Sequence, residues 1–369
     1  MNSSKVSLKR KIAQMFIVAT PPIKNQKKIF KIIESYVDLG IGGLMLGIGG
    51  RFKFVQKQGV ADIKKLQKFV FKLKKLDQSL FLAIDGEGGY DFNLFENAVP
   101  LKPSREYGLR FEKDGSTKEF ERDVKNYFKI ISWCGVNMNF APVIDVAQKG
   151  YNGYISISGR SYSDKLKVVN VLSSIFIKEM QKNNIVAVGK HFPGYGPLDE
   201  NPHFHLRIQK NIADFENNNL TKSTFSNAIK KDKVIGIMKG HVLSALDSKF
   251  PATLSLDIEN YLRKNLNFNG LSITDELFMM ALSEHYSKRD KDGIKRIVDA
   301  AKCNDILLIS YPKEQDTNGR LKKVVRKHDH FQRLLNAVYD AVLKGQIPEE
   351  KINESYEKII KYKKLLKLV

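Results

Sequence analysis

Short apolar runs separated by longer amphipathic stretches set the pattern of this chain. The runs cover residues 15–19, 43–46, 80–84, 136–143, 185–188, 234–238, 271–274 and 306–310. Each reads as a buried strand. Between them, segments such as 63–76, 117–131 and 165–181 carry apolar residues at three- and four-residue spacing. That is the period of a helix with one buried face. Strands alternating with helices predict an α/β fold with a parallel sheet. Eight strands in 369 residues predict one (β/α)8 TIM-like barrel closed on itself. An open doubly wound sheet with a second domain is the alternative. No linker, repeat or low-complexity segment marks a boundary, so residues 1–369 are expected to form one domain. The stretch 331–368 is strongly helical and is expected to pack outside the barrel.

The polar residues at the ends of the runs carry the chemistry. Barrel sites lie at the C-terminal ends of the strands. The third run ends Asp85-Gly86-Glu87-Gly88-Gly89 and the fourth Pro142-Val143-Ile144-Asp145. The fifth ends Lys190-His191, the sixth Lys239-Gly240-His241 and the seventh Thr274-Asp275-Glu276. One charged residue at a strand end is ordinary. Five in succession converge on one ring if the barrel forms. The set is acidic with a few basic groups, which suits a neutral polyhydroxylated ligand better than a phosphate. Taken alone, Asp275 reads as the N-cap of a following helix, and Glu276 as a first-turn residue favoured by the helix dipole.

The stretch 190–205 stands out further. It holds three prolines, two glycines and three of the chain's seven histidines, His191, His203 and His205. Such a segment is a loop with fixed turns. Histidine titrates nearest neutrality, so proton transfer is expected here.

Composition narrows the function classes. The net charge is +22, but the lysines are scattered and no arginine-rich or basic-aromatic motif appears, so no nucleic-acid partner is expected. No apolar stretch approaches the roughly 20 residues that span a bilayer, so no membrane partner is expected either. Lys9-Arg10-Lys11 precedes an apolar run at 12–19 that Gln14 interrupts; it reads as a helix turn entering a strand rather than a leader. Two cysteines, Cys134 and Cys303, imply no disulfide framework and a reducing, cytoplasmic setting. The glycine-rich stretch 40–50 lacks a dinucleotide register. His191, His203 and His205 fit no common zinc spacing. No cofactor and no metal are therefore expected, and the protein is expected to act as a monomer.

The motif Lys190-His191-Phe192-Pro193-Gly194-x-Gly196, with His203 thirteen residues after the lysine, resembles the signature loop of family 3 glycoside hydrolases. The resemblance is nearest to their β-N-acetylglucosaminidase branch. It extends to Lys11-Ile12-Ala13-Gln14 near the start, and to Gly345-Gln346-Ile347 and Ile352-Asn353-Glu354-Ser355 near the end. It implies a retaining exo-enzyme that removes terminal N-acetylglucosamine from muropeptides or chitin-derived oligosaccharides. Asp275 would be the nucleophile that forms a covalent glycosyl-enzyme, and His203 the acid/base. Asp85, Arg160, Lys190, His191 and His241 would contact the sugar. Arg160 lies in Ser158-Gly159-Arg160-Ser161-Tyr162. Asp145, after Phe140-Ala141-Pro142-Val143, is either a contact or structural.

The chain departs from the family pattern at three positions. Tyr195 stands where relatives often carry histidine. Tyr90 stands where an arginine is usual. Asn201 stands where an aspartate pairs with the acid/base histidine. An asparagine accepts a hydrogen bond from imidazole but does not stabilise imidazolium as a carboxylate does. Asp199 or Glu200 is the alternative partner. Two other functions stay open. One is a barrel that binds a sugar without hydrolysing it. The other is a glycoside phosphorylase, which a basic chain and a neutral or cationic acid/base would favour.

Overall fold

The computed structural model describes residues 6–21, 25–47, 56–57, 60–61, 63–89, 101–147, 154–195, 206–208, 220–286, 290, 292–310, 313–315, 321–323 and 329–369. Asn201, His203, His205, Asp199, Glu200 and Tyr90 lie outside the described residues.

All eight apolar runs form strands: β1 (Phe16–Ala19), β2 (Gly43–Met45), β3 (Phe81–Ile84), β4 (Met138–Asn139), β5 (Val186–Phe192), β6 (Gly236–Lys239), β7 (Leu271–Thr274) and β8 (Leu307–Ile309). They form one parallel sheet in the order β7-β6-β5-β4-β3-β2-β1-β8. A parallel bridge between Ile273 and Ile306 joins the two end strands and closes the ring. The fold is therefore the α/β barrel, not the open sheet. Ile17, Leu44, Leu82, Met138, Val188, Ile237 and Ile273 are all buried in it. Burial of an aliphatic side chain of this size contributes about 1.5–3 kcal/mol.

Helices cover the outside: α1 (Leu8–Gln14), α2 (Gln26–Leu39), α3 (Ile63–Leu76), α4 (Ser104–Asp114), α5 (Lys118–Trp133), α6 (Tyr154–Ile157), α7 (Leu166–Lys182), α8 (Leu220–Lys230), α9 (Leu256–Asn260), α10 (Met280–His285), α11 (Ile294–Ala301), α12 (Asp329–Leu343) and α13 (Glu349–Leu365). The predicted segment 63–76 is α3, and 117–131 and 165–181 are α5 and α7 with small shifts at their ends. The C-terminal pair α12 and α13 packs against α1. Lys11 Nζ donates to Asn353 Oδ1 at 2.7 Å, and Lys363 Nζ to Gln14 Oε1 at 2.7 Å. Where β7 and β8 begin, Asp305 takes donors from Ser272, Arg263, Lys351 and Ser355. That carboxylate ties α13 to the strands. No helix among the described residues is long and apolar enough to cross a membrane.

Two strands differ from the predicted limits. The run 136–143 contracts to Met138–Asn139. Pro142 brings no N–H to the ladder, and beyond Asn139 the pairing continues as a bridge from Val143 to Lys190 with bonds from Val188 N–H to Ala141 and from Lys190 N–H to Pro142. The fifth run instead continues through Lys190 and His191 to Phe192, so these two residues lie within the strand rather than at the start of a loop. Lys190 pairs with Met238 and Phe192 with Lys239, which leaves His191 as an extra residue. A bulge of this kind re-aims side chains and is common at barrel rims.

Candidate active site

Each strand in the β3–β7 arc delivers polar groups to its C-terminal end, and the structure links most of them in one set of contacts. Asp85 follows β3. Its Oδ1 accepts from Lys190 Nζ at 3.0 Å. The turn continues to Glu87, whose Oε1 lies 2.5 Å from the same ammonium. Gly88 turns the chain away with φ +97°, and a Cβ there would meet Leu101 Cβ at 2.7 Å. Arg160 reaches Glu87 from beyond α6 as a fork, with Nε to Oε2 and Nη2 to Oε1 both at 2.7 Å. Two parallel charge-assisted bonds fix the guanidinium plane. Glu87, Arg160 and Lys190 are all buried.

Burial raises the Glu87 pKa, but the Arg160 and Lys190 charges outweigh it and hold the carboxyl at about 2. Burial likewise works against charge on Lys190, yet Asp85 and Glu87 outweigh it and raise its pKa. The ammonium and the carboxylate are thus both charged at neutral pH. Glu87 was not among the residues expected to form the site. Its place two residues after Asp85, in the same strand-end motif, was the available signal.

Asp145 is a clamp. Oδ2 accepts the His191 backbone N–H at 3.0 Å and lies 3.0 Å from His191 Nδ1. Oδ1 accepts the Tyr195 N–H at 3.0 Å. A carboxylate only accepts, so the imidazole proton sits on Nδ1. The His191 and Tyr195 rings pack with centroids 4.7 Å apart. Of the two readings of Asp145, the contacts present are the structural ones.

On β6, Lys239 turns away from the site and bonds Glu259 Oε2 at 2.9 Å and the Cys303 carbonyl at 2.7 Å. His241, fully buried, lies between two protein groups. Nε2 donates to the Glu276 carbonyl at 2.9 Å, and Nδ1 lies 2.8 Å from Thr253 Oγ1. Burial lowers its pKa, so the neutral ring carries its proton on Nε2.

Asp275 follows β7 and is partly exposed. Its N–H donates to the Lys239 carbonyl at 3.0 Å. Oδ1 accepts the Glu276 N–H at 2.7 Å, and Oδ2 lies 3.4 Å from Tyr195 Oη. The next helix, α10, starts only at Met280 with Met279 as its cap. Asp275 is therefore not a helix N-cap, and Glu276 is not a first-turn residue. Glu276 Oε1 instead accepts the N–H groups of Phe278 at 2.8 Å and Ser310 at 3.0 Å. It stitches the turn to the end of β8.

Asp85, Arg160, Lys190, His191, His241 and Asp275 are thus all placed at one end of the barrel, joined through Glu87, Asp145, Tyr195 and Glu276. The residues expected to carry the acid/base, Asn201 and His203, lie outside the described residues. The chain is described again at Leu206, whose N–H donates to Glu284 Oε2 at 2.8 Å, and Arg207–Ile208 pairs with Val242–Leu243. Among the described residues no group of three His, Cys, Asp or Glu is arranged to hold a metal ion. Carboxylates, two cations and imidazoles around the partly exposed Asp85 and Asp275 can bind hydroxyl groups and place a carboxylate against an electrophilic carbon.

Comparison with known proteins gives a concordant result. The family model described as the glycosyl hydrolase family 3 N terminal domain matches residues 7–362. A β-hexosaminidase of Nitrosomonas eutropha is 27% identical over 276 residues, 73% of this chain and 76% of that protein. Among solved structures, a glycoside hydrolase family 3 β-N-acetylglucosaminidase from a Paenibacillus species superposes with TM-score 0.79 at 24% identity. That match covers 98% of this chain, which spans only 63% of the Paenibacillus chain. A β-N-acetylhexosaminidase from Beutenbergia cavernae superposes with TM-score 0.77 at 18% identity, over 98% of this chain and 99% of that one.

Proposed function

This chain belongs to glycoside hydrolase family 3, and from that premise we propose that it is a retaining exo-β-N-acetylglucosaminidase. It removes terminal N-acetylglucosamine from muropeptides or chitin-derived oligosaccharides, as one barrel domain and without a cofactor. The observation that carries the reading is the placement of Asp275. It is the partly exposed carboxylate at the end of β7, and the contacts described above connect it to the cation–carboxylate set around Lys190.

In the first step a carboxylate oxygen of Asp275 forms a bond to the anomeric carbon. The bond from that carbon to the leaving oxygen breaks, and His203 gives that oxygen a proton. In the second step water attacks the same carbon, Asp275 leaves with its electron pair, and His203 takes the proton. Two inversions retain the β configuration. Lys190, His191, Asp85 and Arg160 hold the sugar hydroxyls. Glu87 keeps Lys190 and Arg160 in place, and His241 braces the turn that carries Asp275. The named relatives, a β-hexosaminidase and two N-acetyl sugar hydrolases, support the N-acetyl preference. The two buried, unpaired cysteines support a reducing, cytoplasmic compartment.

The test is a panel of aryl β-glycosides with purified protein, followed by a muropeptide and chitobiose. Turnover of the N-acetylglucosaminide well above the glucoside is expected. Asp275→Asn should lower kcat at least about a thousandfold while the thermal melt stays in place. Hydrolysis that survives in Asp275→Asn, or no turnover of any N-acetyl substrate by the wild-type chain, contradicts the proposal.

A further inference from the structure

We infer that Tyr195 is a positioning residue for Asp275, with its phenol hydroxyl donating to the nucleophile carboxylate. The inference rests on the reading of Asp275 given above. Geometry and chemistry together fix the direction of the hydrogen bond. Tyr195 Oη lies 3.4 Å from Asp275 Oδ2. A carboxylate oxygen accepts and the phenol carries the proton, so the hydroxyl is the donor of this pair. The ring itself is held firmly. Tyr195 is 4% exposed, its N–H is tied to Asp145, and its ring packs on His191.

Gly240 completes the fit. A Cβ there would come to 3.0 Å from Tyr195 Cζ and Oη, so a larger residue would push the phenol tip off the β6 rim by a few tenths of an ångström. Burial, with the Asp275 charge beside it, pushes the phenol pKa well above its usual value. The hydroxyl therefore keeps its proton to give. A separation of 3.4 Å is long for a hydrogen bond, and catalytic contacts of free enzymes commonly tighten in the reacting complex.

The position has a kinetic consequence. In the second half-reaction the water oxygen bonds to the anomeric carbon and the bond from that carbon to Asp275 breaks. Its electron pair returns to the carboxylate, and the water's proton goes to the general base. Negative charge on Asp275 grows during this step and falls during the first. A donor to Asp275 therefore assists departure of the sugar more than its capture.

The experiment is Tyr195→Phe, which removes one oxygen. The substrate is an N-acetyl-β-glucosaminide with a dinitrophenyl leaving group, which makes the first step fast. Removal of a hydrogen bond to a charged group should slow the second step by about tenfold to a hundredfold. kcat and KM should then fall together, and intact-mass spectrometry should show protein carrying one N-acetylglucosamine residue. Unchanged constants overturn the inference. So does a lower kcat at constant KM without adduct, which is what mere loss of structure gives. If Tyr195→Phe lacks a cooperative melt, Gly240→Ala displaces the hydroxyl while keeping it, and the same accumulation is expected; its absence overturns the inference equally. Wild-type turnover of the same glycoside tests the underlying assignment separately.

Discussion

Glu87 shows how one side chain connects stability to the site. Its carboxyl is buried between Arg160 and Lys190 and held at about 2, below the roughly 4.3 of an unfolded glutamate. A depressed folded pKa means that the stabilisation is complete above about pH 4.5 and is lost as pH falls toward 2. Glu87→Gln should therefore flatten the acid limb of stability in that window, read from urea midpoints between pH 2 and 7. It should also cost about 3–5 kcal/mol at neutral pH, because two buried cations lose a counter-charge. An acid limb as steep as that of the wild type would show that Glu87 does not titrate in this way. At this scale the sequence was informative where a residue ends a strand: Asp85, Lys190, His191, His241 and Asp275 all follow apolar runs. Glu87 and Tyr195 were missed as members of the set because their partners are distant in sequence. Tyr195 was noted only as a departure at one motif position. Glu276 was misread because the helix after it begins four residues later than the pattern suggested.

Among the elements, all eight strands were legible, because parallel strands buried on both faces appear as uninterrupted apolar runs. Their ends were less so. Lys190 and His191 look like the start of a loop, yet pairing with β6 and a bulge keep them in β5. The attachment of α13 was not legible either, since it depends on a hub of side chains brought together from four segments. Asp305 is fully buried there. Burial raises its pKa, but Lys351, Arg263 and Lys358 outweigh it and hold the carboxyl below its usual range. Asp305→Asn removes the charge those cations face and should destabilise the fold by about 3–5 kcal/mol. The hub lies where β7 and β8 begin, at the opposite end of the barrel from Asp275. Folded Asp305→Asn should consequently keep wild-type KM for the aryl substrate. A denaturation midpoint equal to wild type, or a raised KM, would show that the hub does not have this purely structural role.

For the whole molecule, ring closure turns a linear pattern into a site. The β3–β7 arc contributes one or two groups per strand, and only the closed sheet brings Asp85 and Asp275 to one rim. The net charge of +22 does not by itself call for an anionic partner: among the described residues, the site cations Lys190 and Arg160 are paired with Asp85 and Glu87. The proposed mechanism stands on covalent attachment of the sugar to Asp275. The most direct test incubates the protein with a 5-fluoro N-acetylglucosaminyl fluoride, whose second step is slow, and maps the labelled peptide by mass spectrometry. One added sugar residue is expected, located on Asp275 and absent from Asp275→Asn. A label on another residue, or turnover of the substrate with no adduct and release of the α-anomer, would contradict it.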